Sequence, residues 1–194
     1  MKKIIFVFLI IFTAFNLSAE SRRSAFGGSA GAGARFSTDF NAIVNSQKTA
    51  IADTGMYVYG DFIYLELICG MYFGTAGGSL NYLGTELGLF TKFPFTFSEK
   101  ITIFPLLGFE FHSALYAKFN GMQFKDKETE FKQFWFKAGA GLDYKVNDYI
   151  NLRFEALYGI RPKSIGSNEL QNGTPMVINE KAGNGFTFRA AIGL

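Results

Sequence analysis

Cysteine, histidine and tryptophan each occur once in these 194 residues, and proline four times. A lone cysteine, Cys69, excludes an internal disulfide framework. It lies far from the N-terminus, so no lipid-modified cysteine anchor is expected. A lone histidine, His112, beside that lone cysteine does not supply a set of metal ligands, so neither metal nor cofactor is expected. Charge of neither sign dominates: 19 Lys and Arg stand against 16 Asp and Glu, a formal net charge of +3 without a basic cluster. Nucleic acid is therefore not an expected partner. Past Ala19 no long apolar run remains, which excludes a spanning helix but not a spanning sheet, whose signal per segment is far weaker. Phenylalanine is abundant, with 24 residues. So many rings are hard to bury in a soluble domain of this size, whereas a lipid-facing band accommodates them.

The N-terminus reads as an export signal. Lys2 and Lys3 precede an apolar run over residues 4–15, and Ala19 offers a small residue at a cleavage point. The run, about 12 residues, is short of the ~20 that a spanning helix needs. The expected division is a signal peptide over 1–19 and one domain over 20–194.

The remainder alternates. Over residues 150–161, Ile150, Leu152, Phe154, Ala156, Tyr158 and Ile160 share one parity. Asn151, Arg153, Glu155, Gly159 and Arg161 share the other, together with Leu157. A period of two marks a β-strand with unlike faces. Residues 134–145 repeat the pattern, as do 186–194, which run to the last residue. Residues 101–115 set Ile103, Leu107 and Phe111 against Glu110 and His112. Pro105 removes a ladder hydrogen bond, so a bulge or weak pairing is expected there. Residues 80–93 set Leu83 and Leu87 against Glu86 and Lys92, and 62–73 set Leu65, Leu67 and Cys69 against Tyr64, Glu66 and Tyr72. A second strand has its core at 57–60 and begins near Ala50. A first covers 25–36 and carries Arg35 on the polar parity.

The connections alternate as well. Short turns are expected at Gly60-Asp61, 94–98 and Asn147-Asp148. Longer loops are expected from Ser37 to between Thr49 and Gly55, over 116–132, and over 161–184. The second of these contains Asn120-Gly121, a strong hairpin dipeptide. The glycine-rich connection at 75–79 is the exception. Together these features specify an all-β fold: an eight-stranded antiparallel transmembrane β-barrel of the bacterial outer membrane, with short periplasmic turns and longer extracellular loops. A soluble lipocalin-like barrel would alternate likewise with its faces exchanged. Glycine at so many polar-parity positions, which would weaken a soluble sheet, argues against it.

The hairpin over 138–155, AGAGLDYKVNDYINLRFE, joins a glycine-rich strand, Asp143, a short turn and an Arg153-x-Glu155 strand. In this it resembles the small outer-membrane barrels of the OmpX type and the OmpA transmembrane domain, over nearly all of residues 20–194. The resemblance implies fold and location, with outer-membrane lipid around the barrel and insertion by the barrel-insertion machinery through the C-terminal strand. The family favours an aromatic last residue, whereas this chain ends in Leu194 with Phe186 and Phe188 upstream. No shared activity is implied.

The inward parity carries Glu66, Glu86, Glu110, Asp143 and Glu155, opposed by Arg35, Lys92, Lys137, Lys145, Arg153 and Arg189, with His112 among them. An eight-stranded barrel is just wide enough inside for its own side chains. These charges are therefore expected to pair across the lumen as a structural network, since each would suffer a heavy desolvation penalty alone. The alternatives are a narrow solute path and a lipid-modifying enzyme. In the lipid A deacylases, histidine and serine are separated by one residue and face one side; here Ser113 follows His112 directly and points the other way. No catalytic residue is expected. Residues 27–33 lack the following helix and the Gly-Lys-Ser/Thr ending of a phosphate loop. Phe93, Phe95, Tyr144 and Tyr149 towards the short turns, and Phe73, Phe111, Phe134, Phe136, Tyr158 and Phe186 towards the long loops, are expected to form two interfacial girdles. The expected role is non-enzymatic, structural or in surface interaction, with any extracellular ligand held by the long loops.

Overall fold

The computed structural model describes residues 28–44, 47–62, 64–76, 80–123, 132–162, 167–169, 175–177 and 182–194. The expected signal peptide lies outside them. Eight long antiparallel strands run in chain order: β1 (Gly28–Val44), β2 (Gln47–Phe62), β3 (Leu65–Ala76), β4 (Leu80–Lys92), β5 (Ile101–Phe119), β6 (Lys132–Lys145), β7 (Asn151–Arg161) and β8 (Gly183–Gly193). Each pairs with its sequence neighbours, and β8 pairs with β1, so the sheet closes into a barrel. The shortest strands have 11 residues, enough for a membrane strand of ~9–11.

Closure brings the first strand against the last from Gly31↔Gly193 to Ser37↔Thr187. Gly31, Ala32, Gly33 and Ala34 there face Gly193, Ile192, Ala191 and Ala190, so the seam is built largely from the smallest side chains. Leu194 exchanges backbone hydrogen bonds with Ala30, which puts both ends of the barrel chain at the short-turn end.

The two faces are unlike throughout. Along β7, Arg153, Glu155, Leu157, Gly159 and Arg161 are buried while Phe154, Ala156, Tyr158 and Ile160 are exposed. Leu107 on β5 is 63% exposed, whereas Glu66 and Glu110 are 0% exposed. A charged inside and an apolar outside reverse the pattern of a soluble barrel, and lipid is the surrounding that suits such a surface. The lipocalin-like alternative is thereby set aside. All ten aromatic residues expected in the two girdles are exposed. Towards the long loops Phe134 meets Phe136 edge-on at 4.9 Å between ring centres, and Tyr158 meets Phe186 at 5.3 Å.

Several boundaries differ from the sequence reading. Gly60 and Asp61 do not turn; they pair with Leu67 and Glu66, and the chain reverses between Phe62 and Leu65. Tyr64 consequently sits exposed in that turn beside Phe93 rather than pointing inward. The long loop from Ser37 is instead a continuation of the hairpin, paired as far as Val44↔Gln47 with a register shift after Asp39. Phe95–Ser98 is a short strand against β5, so that turn narrows to Glu99-Lys100. The bulge on β5 lies not at Pro105 but at Leu115, which is skipped between Leu83↔Tyr116 and Gly84↔Ala114. Pro105 is accommodated because its carbonyl accepts from Phe93 N, so its own nitrogen faces the point where β4 ends. Asn120 (φ 49°) and Gly121 (φ 81°) do form a two-residue turn, closing Phe119↔Met122. At the opposite end Asn147 Oδ1 accepts from the amides of Tyr149 and Ile150 and shapes the β6–β7 turn.

Candidate functional site

The lumen is filled in three tiers of charge. Nearest the short turns, Arg153 on β7 donates to Asp61 at 2.6 Å, to Glu66 at 2.7 Å and to both oxygens of Asp143 at 2.7 Å. Asp61 also accepts from Lys92 and from the Ser29 hydroxyl. One guanidinium thus satisfies three carboxylates from three other strands, in the forked geometry suited to arginine.

In the middle tier Arg189 on β8 donates to Glu155 at 3.0 Å and to Glu110. Lys137 on β6 bonds the other oxygen of Glu110 and the Thr187 hydroxyl, the latter at 2.8 Å. His112 Nε2 lies 2.9 Å from that same Glu110 oxygen and 3.6 Å from Glu86. Arg35 on β1 pairs with Glu86 and with Asp53. Nearest the long loops Arg161 meets Asp39 at 3.2 Å.

Rings fill what the charges leave. The Arg153 guanidinium lies 4.1 Å from the centre of Tyr59, that of Arg189 4.9 Å from Phe90, and that of Arg35 5.0 Å from Tyr72. Glycines opposite make room: a Cβ on Gly31 would stand 2.4 Å from the Tyr59 ring, and one on Gly141 2.3 Å from the Phe104 ring. Together Tyr57, Tyr59, Ile68, Phe90, Phe104 and Leu157 form a buried cluster inside the barrel. At the long-loop end a cavity of about 20 Å³ remains, lined by residues including Asp39, Asp53, Tyr72, Tyr82, His112 and Trp135. That is room for about one water molecule.

Of the residues expected in the network, Glu66, Glu86, Lys92, Glu110, His112, Lys137, Asp143, Arg153, Glu155, Arg189 and Arg35 face the lumen. Lys145 does not. It stands at the end of β6, half exposed, and pairs with exposed Asp148 across the turn at 2.7 Å. That hydrogen bond and the lysine charge hold the Asp148 carboxyl below its usual range. Parity alone assigned Lys145 inward, but the strand has already left the lumen at that height. Asp39, Asp53, Asp61 and Arg161 join the network unanticipated. Their signal was parity: Asp61 follows Tyr57 and Tyr59, and Arg161 follows Arg153 and Glu155. Ser113 lies on the face opposite buried His112, so no base–nucleophile pair forms between them.

No family model matches the chain, and no curated protein matches it in sequence. Solved structures do match in shape. Neisserial surface protein A (NspA) overlays with a TM-score of 0.56 at 9% identity, covering 86% of this chain and 96% of that one. The outer membrane protein OprG from Pseudomonas aeruginosa overlays at 0.52, also at 9% identity, covering 87% and 95%. The fold is that of the small outer-membrane β-barrels. The outer membrane protease OmpT from Escherichia coli overlays at only 0.35, a level that carries no argument about activity. Within the small-barrel fold this chain is of the filled kind, its interior taken up by its own side chains.

Proposed function

We propose that the protein resides in the bacterial outer membrane and acts there without catalysis, as a structural or surface-interaction protein. The observation that carries this reading is the filled lumen. Three tiers of ion pairs and a cluster of rings occupy the interior, and among the described residues a cavity towards the long loops admits about a single water. What the barrel offers to other molecules is then its lipid-facing surface and its long-loop end. The continued β1–β2 hairpin, the Asn120-Gly121 turn, and Arg161 and Gly183, where β7 ends and β8 begins, lie at that end. Recognition by segments carried on a rigid scaffold is the usual arrangement. An extracellular ligand would be held there, and the β8 strand would be read by the barrel-insertion machinery.

Trypsin applied to intact cells tests the placement. Cleavage at Lys163 or Lys181 is the expected outcome. Complete resistance, with the protein shown to be present in the envelope, would overturn display of this end at the cell surface.

A further inference from the structure

We propose that Glu86, Glu110 and His112 form a binding site for a divalent transition-metal ion, zinc foremost, inside the barrel below the long-loop mouth. The inference is independent of the surface role argued above. One donor atom from each of the three residues lies within 4.8 Å of the others. His112 Nε2 stands 2.9 Å from Glu110 Oε2 and 3.6 Å from Glu86 Oε2. Ligand bonds of about 2.0–2.2 Å in a tetrahedral array set donors about 3.3–3.6 Å apart, so small side-chain adjustments admit an ion. One imidazole and two carboxylates form a donor set that suits zinc and its first-row neighbours.

Three further observations favour the site. The first is charge. Among the described residues, the buried carboxylates and the buried lysine and arginine side chains that face the lumen are six each. The half-buried Asp53 and Asp143, both engaged in ion pairs, add two more carboxylates. Counted formally, with His112 neutral and every other group ionised, these described residues carry two negative charges in excess, the charge that a dication balances. The second is an orphan acceptor: Arg35 reaches only Oε2 of Glu86, and its Oε1 is buried without a hydrogen-bond partner, so the carboxylate keeps one oxygen uncommitted. The third is access and rigidity. The cavity at the long-loop end reaches His112, and Asp39 and Asp53 line the way. The imidazole packs beside Tyr72, 5.1 Å between ring centres, and Trp135 at 6.3 Å, which limits how far it can turn.

The cations already present set the terms of binding. Arg35 holds Glu86, Arg189 holds the far oxygen of Glu110, and Lys137 holds the near one. Lys137 and Arg35 are the direct competitors, because they occupy the Glu110 and Glu86 oxygens that face His112 Nε2; of the two, Lys137 is the more easily displaced. It also bonds the Thr187 hydroxyl at 2.8 Å, so it retains a partner when displaced.

Zinc ions titrated into the refolded barrel in detergent, followed by calorimetry and by competition with a zinc-binding dye, test this. Folding of each variant is verified by its heat-dependent gel mobility. One zinc per barrel is expected, bound at least ~10-fold more weakly by His112→Ala and by Glu86→Gln, in keeping with the loss of a ligand. Lys137→Met is expected to bind more tightly than the parent. Absence of stoichiometric zinc on the folded parent would overturn the proposal. So would unchanged binding in a folded His112→Ala or Glu86→Gln variant, since the ion would then sit elsewhere.

Discussion

Arg153 on β7 and Glu66 on β3 stand 87 residues apart in sequence and are joined at 2.7 Å across the inside of the barrel. Neither is reachable by solvent to any useful extent, with side chains 1% and 0% exposed. The same guanidinium also holds Asp61 and Asp143. Arg153→Leu would take a shared cation from three carboxylates in a confined interior, leaving Asp61 with Lys92 and Glu66 with Arg189 at 3.9 Å. Breaking one buried pair costs about 3–5 kcal/mol, and a loss of at least that order is expected here. Urea unfolding of the barrel in lipid vesicles measures it. A loss below about 1 kcal/mol, the scale of an exposed pair, would refute the role assigned to Arg153.

Lys145 and Lys92 offer a contrast between an exposed and a buried lysine. Lys145→Ala is expected to leave stability unchanged within error. Its effect is instead local: the Asp148 carboxyl, now held below its usual range, should titrate closer to that range. In sign, this pair contributes only above the carboxylate range and is lost as pH falls through the Asp148 titration. Carboxyl-carbon chemical shifts in a pH series read it directly. Lys92→Ala, by contrast, removes a buried partner of Asp61 and should lower stability clearly.

The assignment of faces has a spectroscopic check. Trp135, the sole tryptophan, is 5% exposed and points into the lumen. Spin-labelled acyl chains should leave its fluorescence nearly intact. In a Trp135→Phe background, Phe136→Trp moves the indole one residue along β6 to the lipid face and should be strongly quenched. Equal quenching of both would contradict the alternation on which the fold rests.

Glycine positions separate crowding from mere presence. A Cβ on Gly33 would lie 2.1 Å from the Ala190 carbonyl oxygen, a backbone atom that cannot step aside. Gly33→Ala is expected to cost about 1–3 kcal/mol, as overpacking does, and to slow refolding. Gly60→Ala meets nothing within 4 Å and should be neutral. Parallel refolding yields, read by heat-dependent gel mobility, compare them.

The fold was legible in the sequence wherever the two faces meet different surroundings. From Leu65 onward a period of two told lumen from lipid in strand after strand, because lipid rejects charge and the interior demands it. It failed where that contrast fades. Around Asp39 and Asp53, near the mouth, the faces are mixed, with Ile51 buried inside and Thr54 exposed outside, and alternation no longer separates strand from loop. Gly60-Asp61 carries good turn chemistry, but Asp61 is drawn into the sheet by Lys92, Arg153 and Ser29, partners invisible in local sequence. His112 beside Glu110, two residues apart on one strand, was readable, but which acid meets which base across strands was not, since it depends on how neighbouring strands are offset around the barrel. The same limit hid the gathering of Glu86 with Glu110 and His112. Glu86 lies 26 positions before His112, and only the Glu86↔His112 pairing of adjacent strands brings its carboxylate to the imidazole.

The seam between β1 and β8 bears on how the molecule is made. Ser37 and Thr187, hydrogen-bonded at 2.9 Å, are 150 positions apart, so closure waits until the last strand has been synthesised. Contacts of such long range form slowly. Until they form, the outer edges of both strands are open templates for pairing with other chains. The glycines and alanines from Gly31 to Ala34 and opposite them let the edges meet there without large side chains between them, while Arg35, Phe36 and their partners Arg189 and Phe188 take their places nearer the mouth. Biogenesis therefore has a single late, vulnerable step, and a chaperone or insertase that guards these two edges protects the whole barrel.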